Sequence, residues 1–210
     1  MKYTRLFLVR HGETDFNKKG MMQGRGIDAP LNDTGIKQAE LVARTLEPEG
    51  AEKVIASSMK RAIQTARPLS ERISRTVHPY SDLDEMDFGD LEGKRSADIK
   101  QELNELHQTW AAGNITQAIP GGESPQQVFD RADGCIRGIL NDDGPQTKVL
   151  FLHGRLIRIL LSKWLGYGLE NMHKIEHQNG AINHIMKNHV SFNVVYLNRT
   201  DHLSPESLTG

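Results

Sequence analysis

The sequence predicts an α/β fold: a three-layer α/β/α sandwich with a mainly parallel central sheet and a small helical cap. Three observations predict it. Short apolar runs at 5–9, 53–56 and 148–152 are each followed by a polar turn and then by a segment with helical spacing. Strands that alternate with helices in this way build a parallel sheet covered on both faces. The turns after the runs, RHGET, SSMKR and HGR, sit where ligands bind in such sheets, beyond the carboxyl ends of the strands. The third is the lack of any internal repeat or low-complexity tract, which makes residues 1–210 one expected domain.

Taken in order, RLFLV (5–9) is the first strand. The basic start MKYTR resembles a secretory leader, but the apolar run after it is only LFLV and ends in RHGE, so a strand is expected. Residues 33–47 place Ile36, Ala39, Val42, Ala43 and Leu46 on one helical stripe, with Asn32 or Asp33 as the N-cap. KVIA (53–56) is the second strand, and Met59, Ile63, Ala66 and Leu69 mark the helix after it. Residues 94–123 mix polar residues with Leu103, Leu106 and Trp110 and are expected to form the cap. Ser124, Pro125 and Gln127 supply an N-cap, a first-turn proline and a capping-box partner for a helix over 124–141. On that helix Cys135 shares an apolar stripe with Phe129, Ala132 and Ile139, which predicts a core position. KVLFL and RLIRILLSKWLG give another strand and helix, and AINHIM and FNVVYL two late strands, the last at an edge or antiparallel.

Composition narrows the function classes. Across 210 residues, 26 Lys and Arg oppose 27 Asp and Glu, a formal net charge of −1. The basic footprint of a nucleic-acid binder is missing, so no nucleic-acid partner is expected and functional charge must be local. No stretch approaches the roughly 18 consecutive apolar residues of a membrane span, so no membrane association is expected. The single cysteine, Cys135, forms no disulfide within the chain, which makes the cytoplasm the default compartment. Oligomeric state leaves no mark in the sequence.

The strand ends carry the chemistry. His11 and His153 each follow an apolar strand and precede a glycine, Gly12 and Gly154, which lets backbone approach a ligand closely. Arg10, Arg61 and Arg155 stand beside them. Guanidinium forks match phosphate oxygens, so converging arginines describe an anion pocket and a small phosphate ester as partner. A histidine among guanidinium groups is held neutral, the nucleophilic form, able to accept a phosphoryl group. Arginines and a second histidine neutralise the phosphate oxygens, so no metal and no cofactor is expected. The leaving alkoxide needs a proton, and a carboxyl beside a dianionic phosphate is suited to give it. SDLDEMDFGDLEG offers Asp82, Asp84, Glu85, Asp87, Asp90 and Glu92, and spacing does not choose among them. A rival reading is a zinc hydrolase, because His173, Glu176 and His177 fit H-x-x-E-H. Such a site needs a long helix and a further ligand, whereas Gly166, Gly168 and Gly180 bracket this segment. His184, His189 and His202 show no partner spacing.

LFLVRHGETDFN, PLNDTGIKQA, SSMKRAIQTA, LDEMDFGDLEG, PGGES and FLHGRLIRILL together resemble the histidine phosphatase superfamily, in its phosphoglycerate-mutase-like branch of small phosphatases. The resemblance implies that His11 is the phosphorylated nucleophile, that Arg10, Arg61 and His153 hold the phosphate, and that Glu85 is the proton donor. It adds Asn17, Gln23, Gly24 and the backbone N–H of Gly154 to the pocket. Two departures stand out. The family usually has a second glycine where this chain has Arg155, and residues 96–130 hold no arginine and only Lys100. A mutase must grip a second anionic group with basic residues in that insertion, so a phosphatase is expected over a phosphoglycerate mutase. A silent phosphate-binding member is a further rival, opposed by the retained His11 and Glu85.

Overall fold

The computed structural model describes residues 3–141, 146–188 and 190–204. Its centre is a sheet of six strands: β1 (Thr4–Arg10), β2 (Lys53–Ser57), β3 (Val77–Tyr80), β4 (Thr147–Leu152), β5 (Ile182–Lys187) and β6 (Phe192–Arg199). Their spatial order is β3-β2-β4-β1-β5-β6. β1 to β4 pair in parallel, and β5 runs antiparallel to both β1 and β6. Helices α1 (Asp15–Lys18), α2 (Asp33–Leu46), α3 (Lys60–Arg72), α4 (Lys100–Ala111), α5 (Pro125–Leu140) and α6 (Gly154–Trp164) surround it. This is the α/β architecture that the alternating pattern predicts. No helix among the described residues is long and apolar enough to cross a membrane.

Side-chain alternation along β1 divides the core in two. Phe7 and Val9 face Val42 and Leu46 of α2 and Ala62, Ala66 and Leu69 of α3. Leu6 and Leu8 face the opposite layer, with Val128 and Ile136 of α5 and Leu156 and Leu160 of α6. Both faces of β1 are therefore buried, which is why its sequence is an unbroken apolar run rather than an alternating one. Truncating such a fully buried leucine to alanine costs about 2–5 kcal/mol. The Asn32 side chain caps α2 by accepting from the Gly35 N–H at 2.9 Å. Ser124 and Gln127 close the expected capping box at the start of α5.

The cap consists of α4 and the turns around it. Ile99, Trp110 and Ile119 bury into the same layer as α5 and α6, while Leu103 and Leu106 are partly buried there. The Trp110 Nε1–H, which burial would otherwise strand, donates to the Gln117 carbonyl at 2.9 Å.

Three details differ from the sequence reading. β3 is an unexpected strand, VHPY, whose side chains are mostly exposed and which holds Pro79. It lies at the sheet edge, where no apolar run is required and a proline is tolerated. Ile36, placed on the buried stripe of α2, is 53% exposed, because the first turn of the helix lies off the sheet face. Cys135 is only half-buried and packs against the core from its margin. FNVVYL forms β6, which is antiparallel and at the edge at once.

Candidate active site

Sheet register assembles the site. Arg10 of β1 pairs with Leu152 of β4, and Phe151 pairs in turn with Ala56 of β2. Three adjacent parallel strands therefore end at one level. His11 and His153 are the next residues on their strands, and their ring centroids lie 5.2 Å apart. Both are buried. The sequence reading that brought RHGET, SSMKR and HGR together is thus met by the geometry.

Hydrogen bonds fix opposite tautomers on the two rings. His11 Nδ1 lies 2.7 Å from the Gly12 carbonyl, which only accepts, so Nδ1 carries the hydrogen and Nε2 keeps its lone pair. Arg61 Nε donates to His153 Nδ1 at 3.2 Å, so the hydrogen of that ring sits on Nε2. His153 Nε2 is buried and has no protein partner. One imidazole thus offers a lone pair and its neighbour an N–H. Burial, followed by the charges of Arg61 and Arg10, holds His11 well below its ordinary pKa, and burial, Arg61 and His11 do the same to His153. Sequence reasoning credited the arginines with this shift; desolvation is the larger cause.

The arginines divide their donors between protein and pocket. Arg61, at the start of α3, is fully buried and donates to the Ile27 carbonyl at 2.8 Å and the Gly24 carbonyl at 3.2 Å as well as to His153. It orients His153 and ties down the loop over 24–27, and each terminal nitrogen keeps one further N–H. Arg10 donates from Nη1 to the His177 carbonyl at 2.9 Å, while its buried Nε has no partner. Burial lowers its pKa to about 10, partly offset by Glu85, so it stays charged at neutral pH. A methyl at Gly154 would sit 3.1 Å from both Nε and Cζ of Arg10, which gives that glycine a physical reason: it leaves room for the guanidinium.

Glu85 is buried and held by three backbone donors. Its Oε1 accepts from Met86 N at 2.9 Å and Leu156 N at 3.0 Å, and its Oε2 from Arg155 N at 3.0 Å. The last two are first-turn N–H groups of α6, which lacks a side-chain N-cap of its own. Glu85 therefore caps α6, at the helix end that favours a carboxylate. Two of the other candidate acids are held by different partners: Asp84 accepts from Ser57 and Ser58, and Glu92 from Gly26 and Phe88.

Among the remaining predicted residues, Gln23 is buried, with Oε1 accepting from Thr14 Oγ1 at 2.7 Å and Nε2 left without a partner. Gly24 lies where a Cβ would strike Glu92, the Met86 carbonyl and Phe88, so close packing demands it. Asn17 closes a capping box with Thr14 and accepts from Asn179 Nδ2 at 3.1 Å, which shows a turn-holding role. Arg155 turns toward the cap, donating to His107 Nε2 at 3.0 Å with its guanidinium 5.7 Å from the Trp110 ring centroid.

Several residues here carried no sequence signal. Asn179 donates to the His11 carbonyl at 3.1 Å, and Thr65 Oγ1 accepts from Gly12 N at 3.0 Å, clamping the loop from distant segments. Arg158, three residues beyond Arg155 on α6, stands in no motif that marks it. The H-x-x-E-H pattern is dispersed: a 3₁₀ turn ends at Lys174, His173 and Glu176 are exposed, and buried His177 Nε2 accepts from Asn183 at 2.7 Å. Among the described residues no three His, Cys, Asp or Glu side chains gather as a metal site. His184 stacks on Phe7 and His202 donates to the Gly180 carbonyl, whereas His189 lies outside the described residues.

Comparison with known proteins agrees with this fold. The family pattern described as histidine phosphatase superfamily (branch 1) matches residues 6–200. A protein of Hydrogenobacter thermophilus provisionally named phosphoserine phosphatase 2 is 29% identical over 198 residues, 94% of this chain and 97% of its own length. One from Yersinia pestis, provisionally named a phosphoglycerate mutase, is 28% identical over 86% of this chain and 83% of its own. The solved structure of a mycobacterial glucosyl-3-phosphoglycerate phosphatase in complex with VO3 superposes with a TM-score of 0.84 at 27% identity, covering 93% of this chain and 98% of the other.

Proposed function

We propose that this chain, which belongs to the histidine phosphatase superfamily, branch 1, hydrolyses small phosphate monoesters through a phosphohistidine on His11 and without a metal. The observation that carries the reading is the pair of opposed tautomers, a bare Nε2 on His11 beside an unpartnered Nε2–H on His153.

In this mechanism His11 Nε2 attacks phosphorus and the bond from phosphorus to the ester oxygen breaks. His153 Nε2–H, Arg10 and Arg61 hold the phosphoryl oxygens as charge spreads over them, with Gln23 Nε2 and the Gly154 N–H as further donors. Glu85 gives the leaving alkoxide a proton that its carboxylate takes up when the dianionic phosphate binds beside it, the repulsion between the two offsetting the backbone donors that otherwise favour the carboxylate. The resulting carboxylate then takes a proton from water, whose oxygen attacks the phosphorus and breaks its bond to Nε2, releasing inorganic phosphate. Asn17 and Gly24 support the pocket from behind.

A phosphate-release screen over many monoesters tests the reading, with EDTA and His11→Ala protein as controls. Release that persists in EDTA and is lost in His11→Ala is expected. Loss of activity to the chelator would favour metal chemistry. Interconversion of 2- and 3-phosphoglycerate faster than phosphate release would favour the mutase reading, to which the Yersinia relative lends weight.

A further inference from the structure

We infer that Arg155 and Arg158 form a second anion subsite, beside Glu85 and beneath the cap, which takes a carboxylate or second phosphate on the leaving alcohol. The inference rests on the proposed chemistry, which puts the leaving oxygen next to Glu85.

Geometry places the subsite on the leaving-group side. The backbone N–H of Arg155 is bonded to Glu85 Oε2, so the side chain that departs from this residue begins at the proton donor. It runs to His107 and Trp110 of α4, the segment that roofs this side of the pocket. Arg158 lies three residues further along α6, on the same face of the helix. The Arg158 charge acts on Arg155, on His107 of the cap and on Arg10, so the two guanidinium groups belong to one neighbourhood that reaches from the phosphate pocket to the cap.

Each keeps a donor nitrogen without a partner. Arg155 Nη1 and Arg158 Nε are buried without a hydrogen-bond partner, and so is Nε of Arg10. Among the described residues neither Arg155 nor Arg158 makes an ion pair with a carboxylate. Glu85 is the carboxylate whose charge acts on Arg155, and both of its oxygens already accept from backbone N–H groups. Arg158 also feels Glu176, which is exposed. Buried guanidinium nitrogens left unbonded are costly, and a charged acceptor is the group that repays them. Burial and the neighbouring Arg158 lower Arg155 only to about 10, so it remains a cation at neutral pH.

Glycerol 3-phosphate alone does not satisfy such a site; 3-phosphoglycerate does. The subsite also explains a difference within the pocket's own chemistry. A simple phosphate ester needs the donors of His153, Arg10 and Arg61, whereas Arg155, aimed at the cap, is too committed to that side to be another ligand of the same phosphate.

Binding, measured separately from turnover, tests the inference. His11→Ala protein, its fold checked by circular dichroism, is titrated calorimetrically with matched pairs: phosphoserine against phosphoethanolamine, 3-phosphoglycerate against glycerol 3-phosphate, and propane-1,3-diol bisphosphate against its monophosphate. At least one class of second anion should bind tenfold or more tightly than its counterpart, and the three pairs distinguish carboxylate from phosphate. Adding Arg155→Leu or Arg158→Leu should bring that ratio close to one, while Arg155→Lys keeps part of it. Ratios near one in all three pairs, or ratios that survive both leucine variants, overturn the subsite. Should a leucine variant not fold, Arg155→Lys and Arg158→Gln decide the matter by the same ratio. Because hydrolysis is off in this protein, the result is independent of whether the intact enzyme proves to be a phosphatase.

Discussion

Replacing Gly154 with alanine separates catalysis from stability. The new methyl would lie 3.1 Å from Cζ and Nε of Arg10. Carbon contacts relax to about 3.5–4.0 Å, so the guanidinium must retreat by roughly half an ångström. Arg10 is a long side chain and yields cheaply. Alanine at the head of α6 also restricts the unfolded chain, which stabilises by about 0.4–1 kcal/mol. Net stability should therefore stay within about 1 kcal/mol of wild type. A guanidinium displaced from a phosphoryl oxygen loses much of a charge-assisted bond, about 1.5–3 kcal/mol, which corresponds to roughly a 10–100-fold loss in kcat/KM. Phosphate-release kinetics and a urea midpoint measure both sides. Activity within twofold of wild type would refute the placement of Arg10 at the reacting phosphate. Loss of about 3 kcal/mol of stability alongside activity would show instead that the methyl breaks the fold.

Other perturbations have equally defined outcomes. Gly12→Ala should destabilise by about 1–3 kcal/mol, because its methyl would meet the Gly35 carbonyl oxygen at 2.5 Å and backbone cannot swing aside; a urea midpoint equal to wild type contradicts this. Ser124→Ala removes the capping box of α5 and should cost about 1 kcal/mol in the same assay while kcat is unchanged, since α5 lies outside the pocket. Acid should destabilise the fold through its buried histidines. Burial and Arg10 lower His177 from 6.5 to about 3, so between those values the unfolded chain binds the proton and the folded chain does not. That contribution is complete above about pH 6.5 and is lost as pH falls toward 3, removing about 2 kcal/mol at pH 5 from His177 alone. His11 and His153 shift in the same direction and deepen the loss. Equal stability in urea at pH 7 and pH 5 would contradict this.

The legible parts of the sequence were those whose physics is local. β1, β2 and β4 are buried on both faces, so they read as apolar runs, and the register of those runs alone brings His11 beside His153. Ser124 and Gln127 announce α5 because a capping box is written in four consecutive residues. β3 was not legible, since an edge strand needs neither apolar nor alternating residues. The clamp on the loop after β1 was not legible either: Thr65 and Asn179 reach Gly12 and His11 across 53 and 168 residues of chain. Arg155 could be recognised as a departure from the family pattern, but its course toward His107 depends on how the cap packs. Spacing left Glu85 among six carboxylates and only the family resemblance singled it out, because its partners are backbone N–H groups in the first turn of α6.

Rapid chemical quench with ³²P-labelled substrate reads the nucleophilic role of His11 Nε2 at the bond it would form to phosphorus. A transient phosphoenzyme is expected, stable in base and labile in acid, that maps to the peptide containing His11 and vanishes in His11→Ala. Full turnover with no phosphoenzyme at any quench time, or label on a residue other than His11, would contradict it.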